Sequence, residues 1–327
     1  MSVRTSSLVQ NLFTGPIDVV GDIHGEIDAL QNLLTRLGYG ADGSHSEGRR
    51  LVFVGDLTDR GPDSPAVVRL VKQFVESLRA QCVLGNHDLN LLLCNLAEQR
   101  RGSEHPFGKT RKHDNHWFFG EQSSLDKSSE PTPAVLADDQ IRQWVGDFLT
   151  SLPLVLERDD VRVVHACWDD SMVEMARRSS DTVTLYRQHH DRIEADLRNQ
   201  PGLDRIDRKL RHQNSNPVKV LTSGKESRTR TGFEAGGEVR YEERVKWWND
   251  YKDRLCVFGH YSNGREQTGT SSQAICIDFA VASRWEERRQ KAFSGTYKGS
   301  LAALRLPERT VVTDDGAEKT LALTLNT

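Results

Sequence analysis

The 327-residue chain has no apolar run approaching the roughly 18 residues that a membrane-spanning helix needs. Met1 to Phe13 likewise lack the long apolar stretch of a secretory leader. A membrane partner is therefore not expected, and the cytoplasm is the expected location. Cysteine is scarce: Cys82, Cys94, Cys167, Cys256 and Cys276 make five, an odd number, and most fall in apolar runs such as 255–258 and 274–277. That placement reads as buried thiols. An excess of one charge is also missing, with 44 Lys and Arg against 47 Asp and Glu and a formal net charge of -3. The balance offers no global attraction for nucleic acid or an acidic membrane, so no stable nucleic-acid partner is expected and any polyanion must meet a local basic patch. Internal repeats and extended low-complexity tracts are absent too. The remaining composition, 36% hydrophobic and 28% charged, is that of an ordinary globular protein long enough to bury a sizeable core.

From Ile17 the chain repeats one pattern: a short apolar run, a Gly-rich polar turn, then an amphipathic helical stretch. The strand 17–20 precedes the turn 21–25, and Ala29, Leu30, Leu33, Leu34 and Leu37 mark a helix face stopped by Gly38. The strand 51–54 precedes the turn 55–61, and Pro65 opens a helix with apolar positions from Val67 to Leu78. A third strand, 82–84, precedes the turn 85–88. Alternating strands and helices predict a mainly parallel sheet whose polar turns gather at the carboxyl ends of the strands. Residues from about 100 to 135, with His105, His113, His116 and a Ser/Pro-rich run at 123–133, read as a surface insertion. A helix at 141–149 and a strand at 161–164 follow. The span 169–253 reads as a second, charged and largely helical insertion with a Gly-rich loop at 231–237. Short β-like runs at 255–258, 274–277, 301–304 and 310–313 follow, with a hairpin turn at Pro307 and Glu308. A single elaborated domain over 1–327 is expected, because the candidate site runs from Asp22 to about Asp278 and splitting that span would dismantle it.

The turns carry the chemistry. In Gly21-Asp22-Ile23-His24-Gly25, Asp22 and His24 are two apart, so extended backbone projects both to one side, where one cation can bind them. Alone, the pair is more often solvated or capping. In Gly55-Asp56-Leu57-Thr58-Asp59-Arg60-Gly61, Asp56 sits directly after a strand and its two oxygens can span two cations roughly 3.5 to 4 Å apart. Arg60 offers a planar fork of donors suited to phosphate oxygens. The bland alternative there is a helix-start Asp with a surface Asp-Arg pair. Gly85-Asn86-His87-Asp88 brings an amide oxygen beside an imidazole able to protonate a leaving group, a role that Asp59 would support by raising its pKa and orienting the ring. Asp88 reads as an N-terminal helix charge. His165 and His260 each end an apolar strand, a position that is usually structural for a lone His but here falls where ligands already gather.

This ordered set, Gly21-Asp22-Ile23-His24-Gly25, Gly55-Asp56 through Asp59-Arg60-Gly61, Gly85-Asn86-His87-Asp88, His165 and Gly259-His260, resembles the calcineurin-like metallophosphoesterases, in their phosphoprotein phosphatase branch. The likeness is dense over about 15–95 and returns in islands at 161–168 and 255–280. It implies Asp22, His24 and Asp56 on one metal and Asp56, Asn86, His165 and His260 on the other, with His87 as general acid, Asp59 supporting it and Arg60 clamping phosphate. Gly85-Asn86-His87-Asp88 followed by Leu89 looks more like the bacterial symmetrical diadenosine tetraphosphatases than the eukaryotic serine/threonine phosphatases, which usually have Glu after the His. Residues 53–56 and 60–65 also resemble the phosphatase domain of bacterial polynucleotide kinase-phosphatases. The span 169–253 departs from all three. A second phosphate-binding Arg is expected before His260, and Arg244 is the candidate. Trp247 and Trp248 read as helix packing, with base stacking as the alternative. The run Arg205, Arg208, Lys209, Arg211, His212 reads as a solvated helix face or a phosphate patch. Asp278 reads as support for the site.

The resemblance implies an α/β fold of four layers, a central β-sandwich flanked by helices. It also implies hydrolysis of phosphate monoesters or phosphoanhydrides by water activated between two divalent or mixed-valence metal ions, for which oxygen and imidazole ligands suit Mn, Fe or Zn. A phosphorylated small molecule, a nucleotide or a phosphoprotein would be the substrate. Two other readings stand beside it. The pair His87-Asp88 alone suggests an HD-domain phosphohydrolase, disfavoured because that fold is all-helical. A non-catalytic phosphate-binding module would keep the fold without turnover.

Overall fold

Most residues of the central strands are apolar because those strands bury both of their faces. The computed structural model describes residues 7–98, 115–119, 136–235, 238–262, 271–290 and 292–321. Strand β1 (Val9–Asn11) and β2 (Ile17–Val20) are followed by α1 (Ile27–Leu37), β3 (Arg50–Phe53), α2 (Ser64–Glu76), β4 (Ala80–Cys82) and α3 (Asn86–Glu98). A short α4 (His116–Phe119) precedes α5 (Asp139–Ser151), β5 (Val155–Glu157) and β6 (Val161–Val164). Helices α6 (Asp170–Arg177), α7 (Thr182–Arg198), α8 (Arg205–Asn214) and α9 (Pro217–Ser223) lead into β7 (Glu226–Ala235) and β8 (Glu238–Arg244). The remainder comprises β9 (Leu255–Phe258), β10 (Ala274–Cys276), α10 (Arg284–Glu287), β11 (Ala302–Leu306), β12 (Thr310–Thr313) and β13 (Glu318–Thr320).

Two mixed sheets result. One has the order β13-β12-β11-β2-β3-β4, the other β1-β5-β6-β9-β10. Strands β2, β3 and β4 run parallel, as do β6, β9 and β10, while β11 pairs antiparallel with β2. The expected parallel character therefore holds for the strands that lead into the polar turns and fails for the tail, where the turn at Pro307 folds β11 onto β12.

Alternation along the strands builds the four layers. Ile17, Val19, Val52, Val54, Val163, Val257, Ile275 and Leu304 share one cluster of buried side chains, which fills the space between the sheets. Val20, Leu51, Phe53, Cys256 and Phe258, one residue out of phase, join the larger cluster with the helices outside. Helix α1 docks through Ala29, Leu30, Leu33, Leu34 and Leu37 and ends at Gly38, whose φ of 89° permits the left-handed cap. Helix α2 is capped by Asp63, which accepts from the Ala66 amide at 2.9 Å, and Pro65 occupies its first turn. It stops at Glu76, so Leu78 lies beyond the packed face and is 73% exposed. All five cysteines are free and buried, as their neighbours suggest.

The expected third strand at 82–84 begins two residues earlier, at Ala80, although Val83 still donates to the Phe53 carbonyl at 3.0 Å. The span 169–253 is helical as far as Ser223 and again in a 3-10 turn at Trp247–Asn249. Residues 231–235 of its Gly-rich loop belong to a long antiparallel strand pair, with a register irregularity between Arg228 and Phe233, while 236–237 lie outside the described residues. Of the insertion at about 100–135, only 115–119 lies among the described residues, so His105, His113 and the run 123–133 fall outside them. Among the described residues no helix is long and apolar enough to cross a membrane.

One buried ionic cluster ties the tail to the strand that leads into the site. Asp18 on β2 is fully buried and accepts from Arg49 (2.7 Å), Arg305 (3.2 Å) and the Tyr39 hydroxyl (2.7 Å). Removing Asp18 would leave the Arg49 guanidinium, whose side chain is 2% exposed, without its main counter-charge. We expect Asp18→Ala to lower the unfolding free energy by about 3–5 kcal/mol, read from urea denaturation; an unchanged midpoint would contradict this account of the cluster.

Candidate metal centre

The parallel strands of both sheets deliver their following loops to one end of the sandwich. Asp22 and His24 follow β2, Asp56 to Arg60 follow β3, Asn86 and His87 follow β4, His165 follows β6, His260 follows β9 and Asp278 follows β10. The loops hold one another. The Asp56 carbonyl accepts from the amides of Ile23 (3.1 Å) and His24 (2.9 Å), and the Asp22 carboxylate accepts from the His260 amide (3.1 Å). Such close approach needs glycine. A Cβ on Gly85 would stand 2.1 Å from the Asp56 nitrogen, and one on Gly259 would stand 2.0 Å from Asp22 Oδ1. His24, Asp56, Asp59, Arg60 and His260 all have φ between 49° and 73°, a left-handed conformation that side chains other than glycine's adopt at a cost and that the surrounding contacts enforce.

The side chains then converge. His24 Nδ1 donates to the Thr58 carbonyl at 3.1 Å, since a carbonyl can only accept, and this turns Nε2 toward Asp56 Oδ2 (3.6 Å) and Asp22 Oδ2 (4.0 Å). His165 Nδ1 donates to the Val54 carbonyl at 2.7 Å, leaving Nε2 3.1 Å from Asn86 Oδ1 and 3.5 Å from Asp56 Oδ1. His260 Nδ1 lies 2.6 Å from the same Asn86 oxygen. Two groups of ligand atoms, each mutually within 4.8 Å, emerge: His24, Asp56 and His87, and Asp56, His165 and His260. Asp56 belongs to both. His87 rather than the expected Asp22 completes the first group, and Asp22 Oδ2 lies 4.0 Å from His24 Nε2.

The electrostatics fit a cation. Burial pushes the His24 and His260 imidazoles well below their usual range, so both present lone pairs. In His24 that lone pair faces the Asp22 and Asp56 carboxyl groups, an arrangement that a cation between them would satisfy. Burial, then the neighbouring Asp278 carboxylate, pushes Asp22 well above the usual carboxylate range. Asp56 goes the other way: burial opposes its ionisation, but His165 and His87 hold it well below that range. Burial also opposes charge on His165, yet Asp56 drives that imidazole up to about 10. This point of the structure strongly favours a cation, and the donors available are carboxylate, amide oxygen and imidazole.

His87 sits beside this cluster. Its Nδ1 lies 2.8 Å from Asp59 Oδ2, its amide donates to Asp56 Oδ1 at 2.8 Å, and its ring meets that of His24 edge-on. Burial opposes its protonation, but Asp56 and the Asp59 hydrogen bond outweigh it and raise the pKa. Two supports went unread in the sequence. Trp117, on α4 within the insertion taken for surface, donates from Nε1 to Asp59 Oδ1 at 2.9 Å. Asp88 stands in the first turn of α3 as expected, but it is also fully buried and accepts from the Leu57 amide (3.1 Å), the Thr58 hydroxyl (2.9 Å) and the Gly85 amide (3.2 Å). It bolts the second turn to the third, and burial followed by the charge of Asp56 pushes its carboxyl up to about 6. The buried amides after Asp56 require an acceptor, which is the one signal that would have located it.

A pocket of about 660 Å³ opens from Asn86 and His260 along the β7–β8 hairpin, past Gln213, Phe233, Arg240 and Arg244. Arg244 donates to the His260 carbonyl at 3.0 Å, so the candidate second Arg stands at the mouth of the centre, and Arg60 lies half-buried in the second turn. Asp278 accepts from the Ser262 hydroxyl (2.8 Å) and the Ala280 amide (2.9 Å) beside Asp22. Trp247 and Trp248 are buried against Phe258, which leaves packing and rules out base stacking for both. The basic run lies on α8, where Lys209 pairs with Glu242 and His212 with Glu194.

The family model for calcineurin-like phosphoesterases matches residues 15–261. The chain is 32% identical over 176 residues to the asymmetrical bis(5'-nucleosyl)-tetraphosphatase PrpE of Oceanobacillus iheyensis, covering 52% of this chain and 63% of that protein. It is 33% identical over 169 residues to the symmetrical bis(5'-nucleosyl)-tetraphosphatase of Vibrio parahaemolyticus, covering 50% of each. The matched part thus spans between half and two thirds of these curated relatives. The crystal structure of a cold-active protein-tyrosine phosphatase from a psychrophilic Shewanella shares the fold, with a TM-score of 0.52 and 15% identity over 98% of this chain and 85% of that one.

Removing the bolt between the turns should loosen the centre without touching a candidate ligand. Asp88→Ala is expected to weaken divalent-ion binding about 10- to 100-fold, measured by calorimetric titration with Mn²⁺; wild-type affinity in a folded variant would refute the role given to Asp88.

Proposed function

Because the chain belongs to the calcineurin-like phosphoesterase family, we propose that it is a hydrolase of nucleotide-type phosphoanhydrides or phosphate esters whose centre is organised around the shared carboxylate of Asp56. The observation that carries this reading is the membership of Asp56 in two separate groups of ligand atoms. Asp22, His24 and Asp56 would hold one ion, and Asp56, Asn86, His165 and His260 a second, with Mn, Fe or Zn suited to the donors. When bound, such ions supply positive charge to the phosphoryl oxygens and acidify water for in-line attack.

The chain's own residues do the rest. Arg60 and Arg244 fork onto the phosphoryl oxygens that gain charge in the transition state. His87 gives a proton from Nε2 to the departing oxygen, while its Nδ1 is held by Asp59, and Asp59 is held in turn by Trp117. The hairpin wall supports a substrate larger than phosphate. Arg240 adds a cation beyond Arg244, and Phe233, 40% exposed, offers an aromatic face to a base. The tetraphosphatase relatives favour a dinucleoside polyphosphate over a phosphoprotein.

With Mn²⁺ present, kcat/KM for release of nucleotides from a dinucleoside tetraphosphate should exceed that for phosphate release from phosphoserine and phosphotyrosine peptides; the reverse order would overturn the nucleotide reading. The distribution of products separates symmetrical from asymmetrical cleavage. His87→Ala should lower kcat about 10²- to 10⁴-fold on phenyl phosphate, whose leaving group needs a proton, and much less on 2,4-dinitrophenyl phosphate, whose leaving group does not. Equal losses on the two esters would remove His87 from the acid role.

A further inference from the structure

Away from the centre, on the helical part of the 169–253 span, three metal-ligating side chains meet that the reaction does not use. His190 and Glu194 are four apart on α7 and so share one face of that helix. His212 stands on α8, which packs against α7. His212 Nε2 lies 2.8 Å from Glu194 Oε1, and the imidazole rings of His190 and His212 face each other with centroids 5.2 Å apart. One ligand atom from each residue falls within a mutual spread of 4.8 Å.

A surface ion pair between Glu194 and His212 would account for two of these residues and contribute about 0.2–1 kcal/mol. His190 has contacts of its own, with Nδ1 3.4 Å from Asp191 Oδ1 and its ring stacked on Tyr186, yet it also offers a ligand atom within 4.8 Å of those of the pair. A second imidazole beside a His-Glu pair makes three donors, the number that protein side chains commonly supply to a zinc ion whose fourth ligand is water. Tetrahedral zinc, bonded at about 2.0–2.1 Å, holds its ligand atoms roughly 3.4 Å apart, a spacing that lies between the 2.8 Å of the Glu194–His212 pair and the 4.8 Å limit of the cluster. The side chains of His190, Glu194 and His212 are 14%, 38% and 23% exposed, so the cluster is partly sheltered yet open to an entering ion. Two imidazoles and one carboxylate favour a borderline transition-metal ion over calcium or magnesium.

The geometry points to a second, separate metal site in which His190, Glu194 and His212 bind a zinc-like divalent ion and clamp α7 to α8. The consequence reaches the pocket. Helix α8 packs against the β7–β8 hairpin, and Gln213, the residue after His212, lines the pocket and donates to the Gly224 carbonyl at 2.6 Å. An ion there stiffens the pocket wall from behind.

The test is a count of zinc. Wild-type chain and His190→Ala, which keeps the Glu194–His212 pair, are equilibrated at micromolar free Zn²⁺ and analysed for metal per chain, with circular dichroism to verify folding. One equivalent fewer in the variant is expected, together with a smaller zinc-dependent rise in Tm. Glu194→Gln, which preserves size, should lose the same equivalent and serves if His190→Ala does not fold. Equal zinc content in wild type and a folded variant, or a difference that appears only at millimolar zinc, would overturn the site. Both chains keep every residue of the Asp56 centre, so this result is independent of the phosphoesterase reading.

Discussion

A single buried carboxylate, that of Asp56, sits where the two sheets deliver their loops. A carboxylate in that place is unfavourable unless it is met by donors or positive charge. Much of the neighbouring sequence answers that requirement. The His87 amide donates to it, the His24 and His165 rings are turned toward it by backbone carbonyls, and Asp88 takes up the amides that the tight turn would otherwise leave unpaired. The left-handed backbone at Asp56 itself is part of the same arrangement, because it lets the carboxylate and the carbonyl of one residue serve different neighbouring loops. The positive charge drawn toward this point is what the family's divalent ions supply.

The sandwich makes such a centre affordable in structural terms. Alternate residues of the parallel strands pack inward against the opposite sheet and outward against helices, so the strands are rigid on both faces and their carboxyl ends are fixed relative to one another. Ligands from segments as distant as Asp22 and His260 can then meet, and the His260 amide donates directly to the Asp22 carboxylate. The Asp18 cluster extends this fixity to the tail, through Arg49 and Arg305, and so locks β2 in register with β11. Geometry at the centre is thereby set by strands rather than by the loops alone.

How much of this could be read in advance followed from how local each signal was. Asp22, His24, Asp56, Asn86 and His87 each follow an apolar run within a few residues, so strand, turn and donor appear together in one stretch of sequence. His165 and His260 were weaker because their turns hold a single donor each, and they gained meaning only from the others. Trp117 and Asp88 were missed for a physical reason. Their roles lie in contacts to Asp59, Leu57 and Thr58, made across tens of residues, and nothing adjacent to either residue marks such a bond. Strands β7 and β8 lie in a span that reads as largely helical around a Gly-rich loop, because they are polar and largely exposed, without the alternation that burial imposes on one face.

The same contrast separates the chemistry from its selectivity. Residues that assemble the centre are bound into the sandwich by backbone hydrogen bonds and by approaches too close for any side chain larger than glycine's, so they admit little variation. The 169–253 span is held to the sandwich beside the centre rather than within it: a Cβ on Gly224 would stand 1.9 Å from the Tyr261 hydroxyl, and the Leu221 carbonyl accepts from the Ala166 amide at 2.9 Å. It reaches the centre only at its edge, through Arg244 and the pocket wall, and the hairpin carries Phe233, Val239 and Tyr241 in the open, at 40%, 61% and 40% exposure. Apolar side chains left exposed beside a polar, cation-lined pocket are the features by which a scaffold can choose among phosphorylated compounds without altering how phosphorus is attacked.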